Sequence, residues 1–388
     1  MKIAIFTETY LPYINGVVTH IKILKEGLEA LGHEVLIVTT DVHVTEHKIE
    51  NGVLRCPALE LKKIYNYGVS SPFSGTRKKL VEEFRPDIIH IQNEFSMGIA
   101  GIRASRAMNI PLVYTLHTMY DDYIYYIAPG PLTDIVKRIS HQYIRFLSRR
   151  ADIITGPSKK CEDYIHGAGV NRKIYIIPNS VELESYAEDA TTQQERDAVR
   201  ERYGIPKGAF VACFVGRIGK EKGIDRLMEM LSKNTAAEDN IYLLVIGGGP
   251  FLDESRGYAG RLGPGGRTVF TGAIPHEQLP PYYAACNCYA TASTSEMYSI
   301  SMLEGMASGL PVLQILDPDN RDQIQVGVNG WIYETGEEMA GYLRMLRDLP
   351  PGEKNALKAS VRASVADKSS VRIAKFMLEL YQKAIDKH

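Results

Sequence analysis

Two glutamates, Glu296 and Glu304, stand with seven residues between them in the stretch S-E-M-Y-S-I-S-M-L-E-G-M-A-S-G-L-P-V, residues 295–312. Cys288–Ser293 before it reads as a short buried strand. Ile300–Ala307 reads as a helix that stops at Gly309, with Pro311 just beyond. That places Glu296 in a strand-to-helix loop and Glu304 one to two turns into the helix. A helix start offers free backbone N–H groups and partial positive charge, which suit a phosphate. An acid on either side could bind hydroxyls, the layout of sugar, diphosphate and ribose. The same letters allow a second reading. Ser301-Met302-Leu303-Glu304 has the form of a capping box, which would make Glu304 structural.

Other candidates sit where a parallel sheet would present them, beyond the carboxyl ends of its strands. G-R-I-G-K-E-K-G, residues 216–223, puts Arg217 and Lys222 on a glycine-flanked loop. Two cations there suit a diphosphate whose charge grows as it leaves. Asn15-Gly16 precedes a helix, and a glycine lets backbone N–H groups approach a phosphate. His117 ends the strand Leu112–Leu116. Gly247-Gly248-Gly249-Pro250 lacks the G-x-G-x-x-G spacing of a dinucleotide fingerprint and has no acidic ribose signal after it. Cys56, Cys161, Cys213, Cys286 and Cys288 are odd in number and scattered, with no C-x-x-C, so they read as core residues in a reducing compartment. No metal is expected, since no D-x-D stands at a strand end, and Asp317-Pro318-Asp319 lacks that context.

These residues need a scaffold, and its periodicity is legible. Lys2–Thr7, Glu34–Thr39, Asp87–Ile91, Leu112–Leu116, Ala151–Gly156 and Lys173–Ile177 read as buried strands separated by helices, the first helix spanning Val17–Leu31. A polar, acidic stretch over 182–199 suits a hinge and a connecting helix. A second series follows in Phe210–Val215, Ile241–Ile246, Thr268–Thr271, Cys288–Ser293 and Val312–Ile315, with helices at Ile224–Leu231 and at the C-terminus from about Val371. At 388 residues two α/β domains are expected, 1–180 and 181–370. Hydrophobic content of 45% and charged content of 23% are those of a globular protein, and a net charge of −1 argues against nucleic-acid binding. No 18-residue apolar run occurs, so no spanning helix is expected. The start turns acidic at Glu8, too early for a signal peptide. Residues 1–180 carry net +4 and the remainder −5. The excess gathers at Lys62-Lys63, at Arg77-Lys78-Lys79, and in a helix with Lys137, Arg138, Arg145, Arg149 and Arg150. That helix also presents Ile135, Ile139, Tyr143, Ile144, Phe146 and Leu147. It can pack on the sheet with its charges in water, or lie on an anionic bilayer.

The glutamate stretch resembles the E-x7-E motif of retaining GT-B glycosyltransferases of family 4, and E-G-M-A-S-G-L-P-V is similar to that family's E-A-M-A-x-G-x-P-V. G-R-I-G-K-E-K-G matches G-R-x-x-x-x-K-G, and T-E-T-Y-L-P-Y-I-N-G-V-V resembles the N-terminal loop, where many members have two glycines in place of Asn15-Gly16. The matches run from Lys2 to about Tyr333. The resemblance implies two Rossmann-like domains facing across a cleft, with the C-terminal helix (about 371–388) crossing back to the first. It implies that Glu296 contacts the donor sugar, Glu304 the ribose, and Arg217 and Lys222 the diphosphate. Gly16, Gly248, Ala273, Ile274 and the run Met297, Tyr298, Ser299, Ile300 would line the donor, with His117 on the sugar. The reaction implied is hexose transfer with retained configuration and without a cofactor, the leaving phosphate oxygen taking the acceptor's proton.

H-T-M-Y-D-D-Y-I-Y-Y-I, residues 117–127, resembles the H-T-M-Y-x-D-Y of bacterial diacylglycerol glucosyltransferases, as does the loop with Glu8 and Tyr10. That implies UDP-glucose as donor, a lipid acceptor, and a cytoplasmic protein held peripherally on the inner membrane face. Tyr120, Asp121, Asp122 and Tyr123 are the acceptor-side candidates, with Tyr125 and Tyr126 beside them. A soluble enzyme acting on a sugar precursor and a non-catalytic sugar-nucleotide sensor are the alternatives. A nicotinamide oxidoreductase is not, for want of the glycine fingerprint.

Overall fold

The computed structural model describes all residues except 14, 62–66, 123–131, 263–266 and 321, and the backbone alone of Leu61, Tyr67 and Asp122. Lys62-Lys63 and Tyr123, Tyr125 and Tyr126 therefore lie outside the described residues. The chain divides into two compact units, 1–180 with 370–388, and 181–369.

The first unit is built on strands β1 (Lys2–Thr7), β2 (Glu34–Asp41), β3 (Lys48–Glu50), β4 (Val53–Pro57), β5 (Leu59–Leu61), β6 (Tyr67–Val69), β7 (Ile88–Ile91), β8 (Leu112–Thr115), β9 (Ile153–Gly156) and β10 (Ile174–Ile176). Eight of them form one sheet in the order β10-β9-β8-β7-β1-β2-β4-β3, and β5-β6 form a separate hairpin. All pairs in the large sheet are parallel except β3–β4. Strands such as Ile3–Thr7 and Ile88–Ile91 are buried throughout, which is why they read as unbroken apolar runs rather than alternations. The sequence reading missed β3 to β6 here and Gly330–Tyr333 in the second unit: Lys48–Glu50 is exposed and carries no apolar run to betray it.

The first helix, Gly16–Ala30, is capped by Asn15, whose side chain accepts from the Val18 amide at 2.9 Å. Against it lies the C-terminal helix, Ser370–Ile385. Ala374, Met377, Leu380, Tyr381 and Ala384 join Ile3, Val18, Ile21, Leu24 and Leu28 in one core. The two helices touch at Gly27, where an added Cβ would come within 2.5 Å of the Ser370 carbonyl oxygen and 3.0 Å of the Ala374 Cβ.

The second unit is a six-stranded parallel sheet in the order β13-β12-β11-β14-β15-β16. Its strands are β11 (Phe210–Val215), β12 (Ile241–Ile246), β13 (Thr268–Gly272), β14 (Cys288–Thr291), β15 (Val312–Ile315) and β16 (Gly330–Tyr333). Crossover helices bury Leu227, Met228 and Leu231 on one face and Met302, Leu303 and Met306 on the other. Cys213, Cys286 and Cys288 are core residues, as their scatter implied.

Gly27→Ala should therefore lower stability, by about 1–3 kcal/mol for an overpacked backbone contact. Gly341→Ala is the opposite case, on an exposed helix face with open space around the new Cβ. It should raise stability by about 0.5–1 kcal/mol. Urea unfolding of the two variants checks both signs.

Candidate functional site

In the second unit the loops beyond the carboxyl ends of β11, β12 and β13 are joined backbone to backbone. Gly216 N donates to Ile246 O, Ile218 N to Gly248 O at 2.9 Å, and Gly247 N to Gly272 O at 3.0 Å. The crossing is so close that a Cβ on Gly247 would sit 1.9 Å from the Gly216 oxygen, and its φ of +146° also demands glycine. Gly223, at φ +62°, opens the helix Ile224–Asn234 and passes within 2.6 Å of the Ala292 oxygen at its hypothetical Cβ. That contact fixes Lys222 next to the loop after β14.

Lys222 Nζ pairs with Glu296 Oε1 at 2.5 Å, the two side chains 13% and 22% exposed. Ser293 Oγ also donates to Glu296 Oε1, at 3.3 Å, and Asn320 Nδ2 holds the Glu296 carbonyl at 3.0 Å. Arg217 pairs with Glu221 at 2.5 Å, where the Glu221 carboxylate is almost fully buried. Sequence reasoning brought Arg217, Lys222 and Glu296 to one place and missed Glu221. It lies between them in sequence as an unremarkable loop acid.

The helix Ile300–Ala307 starts as expected, but its cap is Ser299, whose side chain accepts from Met302 N. Gln323 grips Ser299 from both sides, accepting from its N–H at 2.9 Å and donating to its carbonyl at 2.7 Å. The amides of Ile300 and Ser301 are left without acceptors inside the helix. The capping-box reading of Ser301 and Glu304 is thereby corrected. Glu304 is the fifth helical residue, and its carboxylate accepts from the His276 ring at 2.7 Å and the Tyr283 hydroxyl at 2.7 Å. It is buried. His276 was invisible in sequence because it stands in a short turn with no periodicity.

Met297 and Ile300 turn their side chains into the interior, and Tyr298 packs against the core, its hydroxyl pushed up to about 12 by burial. Any contact that Met297 or Ile300 makes with a ligand falls to the backbone, whereas Tyr298 is only half-buried. Gly248 and Ala273 face one another closely, Ala273 exposed, while Ile274 packs on the core.

In the first unit the candidates lie beyond β1, β7 and β8. His117 is half-buried, bonds through Nε2 to Gln92 Oε1, and stands edge-on to His20 with ring centroids 4.7 Å apart. Burial, then the neighbouring His20 and His90, hold it well below the usual histidine range. Glu8 accepts from Ser96 Oγ at 2.9 Å and Met97 N at 2.7 Å, at the start of the helix Ser96–Met108. Its other oxygen is buried without a partner among the described residues. Glu94, absent from the sequence reading, accepts from the Tyr114 and Tyr120 hydroxyls. Burial pushes both carboxyls up to about 7.

The acceptor-side expectations change with this geometry. Tyr10 is buried in the core cluster that also holds Val18 and Tyr381, not on a free surface. Asp121 is not solvated. It takes Lys137 at 2.9 Å, His141 at 3.1 Å and Tyr164 at 3.2 Å, tying its turn to the helix Thr133–Ser148. Tyr120 is committed to Glu94. The Asp122 side chain and Tyr123 lie outside the described residues. Gly16 is exposed, with open space around it. Gln92-Asn93-Glu94 directly follow β7, so the strand-end rule that found His117 could have found them too.

Residues 14–185 match the glycosyltransferase family 4 model, and residues 195–360 match the glycosyl transferases group 1 model. The alpha-monoglucosyldiacylglycerol synthase of Streptococcus pneumoniae is 30% identical over 98% of this chain and 86% of its own. That of Acholeplasma laidlawii is 29% identical over 100% and 98%. Among solved structures, Anabaena HepE in complex with UDP-glucose superposes with a TM-score of 0.74 at 18% identity, covering 99% of this chain and 100% of that one.

Two measurements probe these groups. Glu304→Gln removes a buried charged acceptor from His276 and Tyr283. It should cost about 1–3 kcal/mol in urea unfolding and weaken UDP binding by calorimetry; a variant equal to wild type in both would leave the carboxylate idle. Glu94 keeps its proton in the fold up to about pH 7, while the unfolded chain releases it from about 4.5. Its contribution is therefore present at low pH and lost as pH rises through that window. Glu94→Gln should gain stability relative to wild type between about pH 5 and about pH 8. A constant difference would mean that Glu94 ionises normally.

Proposed function

From the premise that this chain belongs to glycosyltransferase family 4, we propose that it moves glucose from UDP-glucose to a diacylglycerol-type lipid at a membrane surface, with retention at the anomeric carbon. The observation that carries the transfer is the Lys222–Glu296 pair, which links the loops beyond β11 and β14. The pair keeps both charges satisfied until a donor arrives. A diphosphate then draws Lys222, and Arg217 beside it, and frees Glu296 for the sugar hydroxyls. The Ile300 and Ser301 amides receive a phosphate oxygen, and Glu304 a ribose hydroxyl.

In the reaction the bond from C1 to the diphosphate oxygen breaks as the bond from C1 to the acceptor oxygen forms on the same face. The acceptor's proton passes to the departing phosphate oxygen. Arg217 and Lys222 stabilise the charge gathering there, so the mechanism needs no metal ion. His117 is neutral and serves as a hydrogen-bonding partner to the sugar, not as a cation.

The lipid acceptor and the glucose donor rest on the two relatives whose names state that product, both aligned over nearly the whole chain. No helix among the described residues is long and apolar enough to cross a membrane. Surface attachment is assigned here to the helix Thr133–Ser148. Of the cations first considered, Arg150 lies on the Phe146 ring at 3.4 Å, Arg145 packs against Gly169 and Lys137 is engaged by Asp121, while Arg138 and Arg149 are exposed. Its exposed side carries an apolar stripe: Leu132, Ile135 and Ile139 are 56%, 54% and 59% exposed at helical spacing, beside exposed Asp134, Lys137 and Arg138. Such a face inserts at the headgroup boundary, and each nearby basic residue adds about 1 kcal/mol on anionic lipid.

The test is product analysis by mass spectrometry and NMR with UDP-glucose, diacylglycerol and anionic vesicles. An α-glucosyl diacylglycerol is expected. Glucosylation of soluble sugars alone would favour the soluble alternative. Ile135→Glu with Ile139→Glu should abolish vesicle sedimentation and leave UDP binding intact; undiminished sedimentation would remove this helix from the docking surface.

A further inference from the structure

Behind His117 stands a buried polar chain that the reaction described above does not use. Gln92, fully buried, presents Oε1 to His117 Nε2 and its amide nitrogen to the His90 ring, at 3.3 Å from Nδ1 and 3.2 Å from Nε2. His90, also fully buried, is held on both sides: Nδ1 to the Tyr381 hydroxyl at 2.7 Å and Nε2 to Thr115 Oγ1 at 2.6 Å. Thr115 in turn bonds Thr155 at 2.5 Å. Tyr381 comes from the C-terminal helix, nearly three hundred residues away in sequence, and is fully buried.

This chain settles which way the Gln92 amide points. Nearly equidistant from the two ring nitrogens, which Tyr381 and Thr115 already engage, the amide nitrogen lies over the face of the imidazole, whose π electrons suit an N–H group and not a carbonyl oxygen. A flipped amide would press its oxygen onto that face. With the amide as it stands, Gln92 Oε1 can only accept, so His117 Nε2 must carry hydrogen. A neutral imidazole has one N–H, which leaves His117 Nδ1 as a lone pair. Nδ1 has no hydrogen-bond partner among the described residues. The titratable groups that bear on the ring are His20 of the first helix and His90 of β7. Burial holds these down to about 4 and about 3. Both are uncharged at neutral pH, and neither supplies a counter-ion that would favour an imidazolium.

We infer that Gln92 is a positioning residue that fixes His117 as its Nε2–H tautomer, so that Nδ1 accepts a hydrogen bond from a substrate hydroxyl, and that Tyr381 of the C-terminal helix holds this arrangement through His90. The inference rests on His117 meeting the sugar, as proposed above. It assigns a task to the returning C-terminal helix besides core packing. Its tyrosine braces the back of a strand-end group in the same unit.

Nitrogen-15 NMR of the histidine rings in the wild-type protein reads the tautomer directly. A neutral His117 with its hydrogen on Nε2 is expected at neutral pH; hydrogen on Nδ1, or a charged ring, overturns the inference. Gln92→Glu places a carboxylate against the ring and should raise its pKa. An acid limb absent from wild type should then appear in the pH profile of kcat/KM, with activity recovering as pH rises. An unchanged profile in a folded Gln92→Glu counts against the lock. Should that variant fail to fold, Gln92→Met removes the acceptor without adding charge. It should lower kcat/KM about three- to ten-fold, the worth of one neutral hydrogen bond, and return His117 to a mixture of tautomers. Unaltered tautomer signals in Gln92→Met would likewise overturn the inference. Tyr381→Phe should shift the His90 and His117 signals in the same sense by a smaller amount. His117→Ala separates the two levels. Full activity there removes His117 from the reaction, whereas an inactive His117→Ala beside a wild-type His117 protonated on Nδ1 removes only the Gln92 lock.

Discussion

The charged groups of the second unit depend on backbone hydrogen bonds between loops. A parallel sheet ends with its last carbonyls and amides unpaired, and something must satisfy them. Here Gly216 pairs with Ile246, Ile218 with Gly248 and Gly247 with Gly272, backbone to backbone across three strand ends. The loops can cross only because the side chains at the crossing are hydrogen atoms. Lys222, Arg217 and Glu296 then stand on a base that has little freedom left. Long cationic side chains lose much rotamer entropy when they bind. A rigid base, with each cation already held by a carboxylate, has lost part of it in advance.

The first unit handles its polar groups by the opposite rule. His20, His90 and His117 are pushed down and Glu8 and Glu94 are pushed up, in every case chiefly by burial. Removing an unpaired charge from water costs far more than removing its neutral form, so burial favours the uncharged form of each. The strand ends of this unit are thus lined by neutral donors and acceptors, among them Gln92, His117 and Tyr120, with the Glu8 carboxyl pushed up to about 7 beside them. Such groups suit hydroxyls, which have direction but no charge. The second unit's ion pairs suit a diphosphate, which has both. The two chemistries of a glycosyl transfer correspond to these two kinds of interior.

Much of this was legible in the sequence, and the gaps have physical causes. Strands buried on both faces write themselves as apolar runs, so β1, β2, β7 to β9, β11, β12 and β15 were found nearly to the residue. Exposed β3 has no such run. Glycine-flanked Arg217 and Lys222 could be placed because a loop at a strand end is a local feature. Their carboxylate partners could not all be placed, because a contact such as His276 with Glu304 joins residues 28 apart through folding alone. The partners of Asp121 were hidden for the same reason, because only the fold brings Lys137, His141 and Tyr164 to it. The capping-box letters at Ser301 and Glu304 misled because the helix begins one residue after Ser299. A shift of two positions turns a cap into an inward-facing side chain.

The C-terminal helix shows how far such non-local terms reach. Its apolar stripe, Ala374, Met377, Leu380, Tyr381 and Ala384, would serve any helix packing on this core. Hydrophobic burial therefore explains that the helix docks, but it is indifferent to small slides along the axis. Two features are not indifferent. Gly27 admits the Ser370 carbonyl at a spacing no other residue allows, and Tyr381 must present its hydroxyl to His90 Nδ1. One fixes the start of the helix and the other a point three turns on, and together they set its register. The polar contact is the more exacting, because a buried His90 nitrogen left unpaired costs about 1–3 kcal/mol, whereas a slid leucine loses little. Directional bonds between buried neutral groups are thus what convert an adequate packing into a single one, and His117 stands at the end of that chain.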